Sequence, residues 1–298
     1  MSLPVTERLH PAAVGLDLLQ PAVVLSHLLA GQGAALQAVA AALPQIEAGA
    51  ALMAQALRGT GRLVYAGAGS SALMAVADGM ELQGTFGVDP NRIVLLMAGG
   101  LPVDARMPGD TEDDAGAGAQ AARVLRAGDV VIAVTASGRT PFALAVAEAG
   151  RATGAKVIGI ANAVGAPLFA HADVAICLPT PPEVLAGSTR MGAGTAQKAA
   201  LNMMSTLMGL TLGQVHDGMM VGVIADNDKL RARAAGMVAS IARVDAAKAA
   251  SALDAAGGAV KPAVLIALGQ GADKAAELLQ GTKGNLRAAL ARILKAGA

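Results

Sequence analysis

Five short apolar runs, each closing on Gly, Ser, Thr or Asn and each set against stretches of helical spacing, constrain this chain more than any other feature. They are RLVYAGAG (62–69), RIVLLMAGG (92–100), DVVIAVTASG (129–138), KVIGIAN (156–162) and DVAICLPT (173–180). Aliphatic residues fill them almost without polar interruption, so both faces of each strand must be covered. Helical segments occupy roughly 70–83, 115–127, 141–153 and 195–213. Strand, turn and helix in repetition specify an α/β fold, a three-layer arrangement with helices on both sides of a five-stranded parallel sheet. Upstream, residues 21–57 carry a helical pattern with a stop near Pro44, and residues 1–20 read as an extended arm. Beyond Asn227 the chain is helical again, with Gly257–Gly258 and Lys261–Pro262 as breaks. The expected division is an arm and helix at 1–50, a sheet domain at 51–225 and a helical region at 226–298.

Composition narrows the function classes. Hydrophobic residues make up 54% and charged residues 15% of 298, which provides a large core. Aromatics are 1% and the net charge is +1, with no basic block, so a nucleic-acid partner is not expected. Cys177 is the only cysteine, so no intrachain disulfide can form. The segment MSLPVTERLHP has no basic stretch followed by an apolar core, and the apolar runs are broken by Asp, Arg, Gly or Pro. No signal peptide or membrane span is expected, and the chain reads as cytoplasmic.

In a doubly wound sheet, ligands bind beyond the carboxyl ends of the strands. Three hydroxyl-rich segments fall near that edge: Gly67–Ser71, Thr135–Pro141 and Gly187–Arg190. A small-residue turn opening a helix leaves free amide N–H groups at the positive dipole end, and hydroxyls add donors of adjustable direction. Each loop alone could be ordinary N-capping. Together they favour an anionic ligand, with Gly69, Ser70, Ser71, Ser137, Gly138, Arg139, Thr140, Ser188, Thr189 and Arg190 as candidate contacts. The first loop reads G-A-G-S-S-A, but the second strand does not end in the acidic residue that would grip a dinucleotide ribose. Walker A and G-x-S-x-G motifs are absent from the sequence, and His10, His27, His171 and His216 are scattered without metal-ligand spacing. No cofactor or metal is expected. Arg139 and Arg190 could instead pair with Glu183. Lys198 could reach a phosphate or carboxylate, or stand as a solvated lysine. Glu81, in the apolar VADGMELQGTFG (76–87), reads either as a solvated helix charge or as a proton-transfer group.

The segments GRLVYAGAGSS, VTASGRTP and PPEVLAGSTRMGAGTAQKAALNMMST resemble the sugar isomerase (SIS) domain in the form found in N-acetylmuramic acid 6-phosphate etherases. The resemblance runs from Thr6-Glu7-Arg8, Pro11 and Asp17 through Asp78, Glu81 and Glu112-Asp113 to Asn227-Asp228-Lys229-Leu230 and Val260-Lys261. It implies a cofactor-free cytoplasmic homodimer that acts on a sugar phosphate in cell-wall recycling. The activity implied is that of a carbon–oxygen lyase, which splits the D-lactyl ether of N-acetylmuramic acid 6-phosphate into N-acetylglucosamine 6-phosphate and D-lactate. It also implies that Ser70, Ser71, Ser137, Gly138 and Thr140 hold the phosphate and that Glu81 transfers protons. More weakly, it points to His216, Asp226 and Lys229 as reaching the pocket of a second copy.

The match departs from the family pattern at three polar positions. The family Arg after the first loop is Leu73, and the Lys of S-T-R-M-K-A-G-T-A is Gly192. The second catalytic glutamate, three residues before the E-D pair, is Gly109. Asp110 and Glu112 are the carboxylates left to substitute. The alternatives are a sugar-phosphate isomerase or a non-catalytic phosphosugar sensor.

Overall fold

The computed structural model describes residues 5–107, 109–223, 225 and 228–296. Its contacts divide into two compact units, Met1–Met80 with Asn91–Leu207, and Glu81–Pro90 with Met208–Ala298.

The first unit is built on a five-stranded parallel sheet: β1 (Leu63–Gly67), β2 (Ile93–Met97), β3 (Val130–Thr135), β4 (Lys156–Ala161) and β5 (Val174–Cys177), in the order β2-β1-β3-β4-β5. The register pairs Leu63 with both Ile93 and Val130, Val130 with Lys156, and Ile158 with Val174. β1 and β3 are buried along their whole length, as their unbroken apolar runs require. Strand alternation sends Val64, Ala66, Val131, Ala133 and Val157 into a core with Phe142, Val146 and Ala147 of α5 (Pro141–Ala152). On the opposite face Tyr65 and Ile158 meet α2 (Leu43–Arg58), α3 (Gly69–Phe86) and α6 (Gly192–Thr211). Here Gly79 of α3 lies against Tyr65 and Leu95, and Gly49 of α2 against Ile158 and Met204. A short helix α4 (Ala115–Ala121) packs on α5.

Two buried carboxylates pin the amino edge and the helical face of this unit. Asp129, 1% exposed, accepts from Arg62 and from the Arg126 amide at the entry to β3. Burial alone would raise its pKa, but these donors hold it below the usual carboxylate value. Asp78, 2% exposed on α3, accepts from the Tyr65 hydroxyl at 2.8 Å, Asn202 Nδ2 at 3.0 Å and the Ser205 hydroxyl at 2.9 Å. Here burial dominates, and the carboxyl is pushed up.

The N-terminal pattern resolves into α1 (Pro21–Gln37), a 3-10 turn at Ala40–Ala42 and then α2, with Pro44 in the first turn of α2, where its missing N–H costs nothing. The stretch Pro21–Arg58 has the length and hydropathy of a membrane-spanning segment. It is nevertheless interrupted at residues 38–42, and Ile46, Ala50 and Met53 of α2 are core residues. The arm is not extended where it is described: 3-10 turns form at Val5–Glu7, Pro11–Ala13 and Leu16–Leu18. Pro11 and the His10 side chain, which accepts from the Ala12 amide, fold it locally.

The second unit holds a hairpin of β6 (Val215–His216) and β7 (Met219–Met220), and five helices: α7 (Asp228–Ala242), α8 (Ala246–Ala255), α9 (Val260–Ala267), α10 (Ala272–Gly281) and α11 (Leu286–Ala296). Val221, Val238, Leu253, Val264, Leu265 and Leu286 form its core. The hairpin was not expected, because two-residue strands leave no periodic signal.

Candidate active site

Sheet order reverses between β1 and β3. The chain leaves β1 toward β2 on one side and returns to β3 on the other, so the loops after β1 and β3 diverge and leave a crevice at their carboxyl ends. A cavity of about 440 Å³ occupies that crevice. Ala68–Ser71, Thr135–Ser137 and Arg139–Pro141 form one part of its lining, and Thr6, Glu7, Glu112, Asp113, Gly187 and Thr189 form another.

The floor is made to receive an anion. Gly69 opens α3 with φ +54°, so the amides of Gly69, Ser70 and Ser71 make up the first turn, which has no intrahelical acceptors. The loop after β3 is held from behind: the Asn162 amide donates to Ala136 O at 3.0 Å and the Leu168 amide to Gly138 O at 3.1 Å. The Thr135 and Thr140 hydroxyls are 2.7 Å apart, and the Arg139 amide donates to Ser137 Oγ at 3.2 Å. Gly138 has φ +70°, and a Cβ there would overlap Ala166. It therefore sets the backbone course that turns Ser137 and Thr140 toward the cavity.

Carboxylates stand around the floor. The Phe142 amide donates to Glu112 O at 3.1 Å, which fastens the segment after β2 to the start of α5. Glu112 Oε2 comes within 4.0 Å of where a Cβ at Gly69 would be, beside the first turn of α3. Glu7 arrives from the other end of the chain. The Gly187 amide donates to Thr6 O at 3.0 Å, and Glu7 Oε2 lies 3.4 Å from the Cβ position of Gly187.

Of the sequence-predicted residues, the cavity brings together Gly69, Ser70, Ser71, Glu112, Ser137, Arg139, Thr140 and Thr189. Gly138 supports the floor without lining it. Ser188, Arg190 and Lys198 are not among the lining residues; Arg190 is exposed, and Lys198 is half-buried on α6. Asp110 is exposed with φ +54° and does not line the cavity. Glu81 is an exposed residue of α3, about three turns beyond Ser70. It groups with the second unit and is not in the lining. Glu183 takes neither arginine: its two oxygens accept the Gly192 and Ala193 amides at 2.9 and 2.8 Å and cap α6. His216 is buried beside Asp217, Lys229 is exposed, and Asp226 lies outside the described residues. Among the described residues, no three His, Cys, Asp or Glu side chains are grouped to hold a metal.

Thr6, Glu7, Asp113, Thr135 and Gly187 line the cavity without having been singled out as contacts. The contact between Thr6 and Gly187 joins positions 181 residues apart, and no local pattern announces it.

Comparison with known proteins agrees with this architecture. The SIS domain family matches residues 7–162. An N-acetylmuramic acid 6-phosphate etherase of Deinococcus radiodurans is 43% identical over 288 residues, covering 96% of this chain and 94% of the relative. One of Streptomyces avermitilis is 42% identical over 291 residues, covering 96% and 93%. A solved structure from Bacteroides fragilis, described as a phosphosugar isomerase involved in capsule formation, superposes with a TM-score of 0.51 at 19% identity, over 64% of this chain and 91% of that one.

Proposed function

We propose a function for this chain from the family it belongs to, the N-acetylmuramic acid 6-phosphate etherases, a group of SIS-domain proteins. It is a carbon–oxygen lyase that cleaves the D-lactyl ether of N-acetylmuramic acid 6-phosphate. The products are N-acetylglucosamine 6-phosphate and D-lactate, in the recycling of cell-wall amino sugars. The observation that carries this reading is the switch-point cavity, where Glu112 stands beside a floor of amides and hydroxyls.

The 6-phosphate sits on the amides of Gly69, Ser70 and Ser71 and the hydroxyls of Ser70, Ser71, Ser137 and Thr140, with Arg139 adding charge. The open-chain sugar then extends toward the carboxylates. Glu112 removes the proton on the carbon next to the aldehyde. The carbon–oxygen bond on the neighbouring carbon breaks, its electron pair leaves with the lactate oxygen, and the carbanion's electrons form the double bond. The lactate oxygen takes up a proton. Water adds across the double bond, placing a hydroxyl where the ether was and returning a proton to the adjacent carbon. Gly109 offers no side chain to this chemistry, and Asp110 lies off the lining, so Glu112 is the carboxylate we assign first. Glu81 carries the role that the family resemblance gives it as a second proton-transfer group. Thr189, which lines the cavity, is the substrate contact of the third loop, and Ser188, Arg190 and Lys198 are kept on the family resemblance alone.

Two copies associate, and the protein works in the cytoplasm. Support for association comes from α1, which presents Leu25 and Leu29 at 65% and 76% exposure, and from Leu18 of the arm at 83%. The test is D-lactate release from N-acetylmuramic acid 6-phosphate by wild type and by Glu112→Gln. Release by the wild type at a rate that falls at least a hundredfold in the variant supports the reading.

A further inference from the structure

We propose that Glu7 is a substrate-contacting, specificity-determining residue: its carboxylate accepts hydrogen bonds from hydroxyls of the sugar whose phosphate occupies the cavity floor. The inference rests on the phosphosugar reading above and deepens it.

The lining of the cavity is chemically mixed. One part of its lining consists of amides, hydroxyls and a guanidinium, which suit a phosphate. Glu7, Glu112 and Asp113 supply carboxylates that would repel a phosphate. A ligand that satisfies both parts has an anionic end and a neutral, hydroxylated end. Glu112 is assigned to proton transfer. Glu7 differs in how it is delivered. It stands in a 3-10 turn, Val5–Glu7, which is fastened to the third loop by the Gly187 amide on Thr6 O at 3.0 Å. Gly187, at φ +75°, has no side chain to fill the space beside Glu7 Oε2, and a Cβ there would stand 3.4 Å from that oxygen. Among the described residues, the hydrogen bond to the Glu7 carboxylate comes from the neighbouring Thr6 hydroxyl onto Oε1, and it is long, at 3.4 Å. Glu7 lines the cavity, its Oε2 lies beside Gly187, and among the described residues no donor is bonded to that oxygen. Carboxylates accept strong, charge-assisted hydrogen bonds from hydroxyls, and a site built to bond a hydroxyl discriminates against ligands that lack it.

The chain places this residue through its fold and not through a local motif. Residues 6 and 187 enclose the sheet unit, so the arm is a wall of the site and not a free extension.

The experiment measures dissociation constants of the full-length protein for inorganic phosphate, for glycerol 3-phosphate and for N-acetylglucosamine 6-phosphate. Wild type, Glu7→Gln and Glu7→Asp are compared, with KM and kcat for lactate release alongside. The wild type should bind the sugar phosphate more tightly than inorganic phosphate. Glu7→Gln should weaken the sugar phosphate about tenfold, the loss of one charge-assisted bond, and leave inorganic phosphate unchanged. KM should rise more than kcat falls, and Glu7→Asp should recover part of the affinity. Equal sugar-phosphate affinity in Glu7→Gln and wild type overturns the proposal. So does an equal loss for inorganic phosphate, which would make Glu7 a support for the loop, or a wild type that binds the sugar phosphate no better than phosphate. Selective loss of sugar affinity in a protein that releases no lactate keeps this assignment and rejects the etherase reading instead.

Discussion

Replacing Gly138 by alanine tests whether the loop after β3 is shaped by steric necessity. At φ +70° an alanine costs about 1–2 kcal/mol for entering the left-handed region. Its Cβ would also overlap Ala166 and stand 3.3 Å from the Ala161 Cβ, and overpacking of this kind adds about 1–3 kcal/mol. Gly128 is the control. Its φ is +89°, and an added Cβ would meet nothing within 4 Å, so Gly128→Ala pays only the conformational cost. Gly138→Ala should therefore lose about 2–5 kcal/mol and Gly128→Ala about 1–2 kcal/mol. The chain has one tyrosine and no tryptophan, and Tyr65 lies buried in β1. Tyrosine fluorescence in a urea titration thus reports on the sheet unit itself. At a slope of about 3 kcal/mol per molar urea, the extra steric cost shifts the midpoint by about 0.3–1 M. Phosphate affinity should fall for Gly138→Ala and not for Gly128→Ala. Equal midpoint shifts in the two variants would refute the steric account of this loop.

Other consequences follow from the buried carboxylates and the uncovered helix. Asp129→Ala should destabilise the sheet unit by about 3–5 kcal/mol in urea titration, because it leaves Arg62 and two amides without their acceptor. The Asp129 carboxyl titrates below its usual value of about 3.9, so its contribution is complete above that pH and is lost as pH falls through the lower, folded value. Wild type should therefore lose stability between neutral and acidic pH more steeply than Asp129→Ala. Asp78→Ala strands the Tyr65, Asn202 and Ser205 donors and should cost about 3 kcal/mol or more by the same titration. By the proposed association, wild type should sediment as a dimer and Leu25→Lys combined with Leu29→Lys as a monomer, with little change in the urea midpoint, since both side chains are exposed within one chain.

Much of the fold was legible because parallel strands buried on both faces must be continuously apolar, and β1 and β3, buried at every position, are such runs flanked by small-residue turns. The floor of the cavity was legible for a related reason. Ser70, Ser71, Ser137 and Thr140 follow strand ends directly, so locating the strand locates the residue. Glu7 was not legible as a lining residue, because its turn is fastened by the Gly187 amide on Thr6 O, far away in the chain. Glu183 offered no sign that it would cap α6, since capping depends on where the α6 amides point after a loop. The same holds for the arm, where local turns at Pro11 and His10 replace extended chain. Glu81 illustrates the opposite limit. Its apolar neighbours suggested a shielded carboxylate, but helical periodicity places it on the exposed side of α3.

The most direct test is an enzymatic assay of D-lactate released from N-acetylmuramic acid 6-phosphate by the purified protein, with Glu112→Gln, Asp110→Asn and Glu81→Gln in parallel. The account predicts release by wild type, a hundredfold or greater loss in Glu112→Gln, a loss in Glu81→Gln, and near-normal release by Asp110→Asn. No release by wild type, or undiminished release by Glu112→Gln, would contradict it.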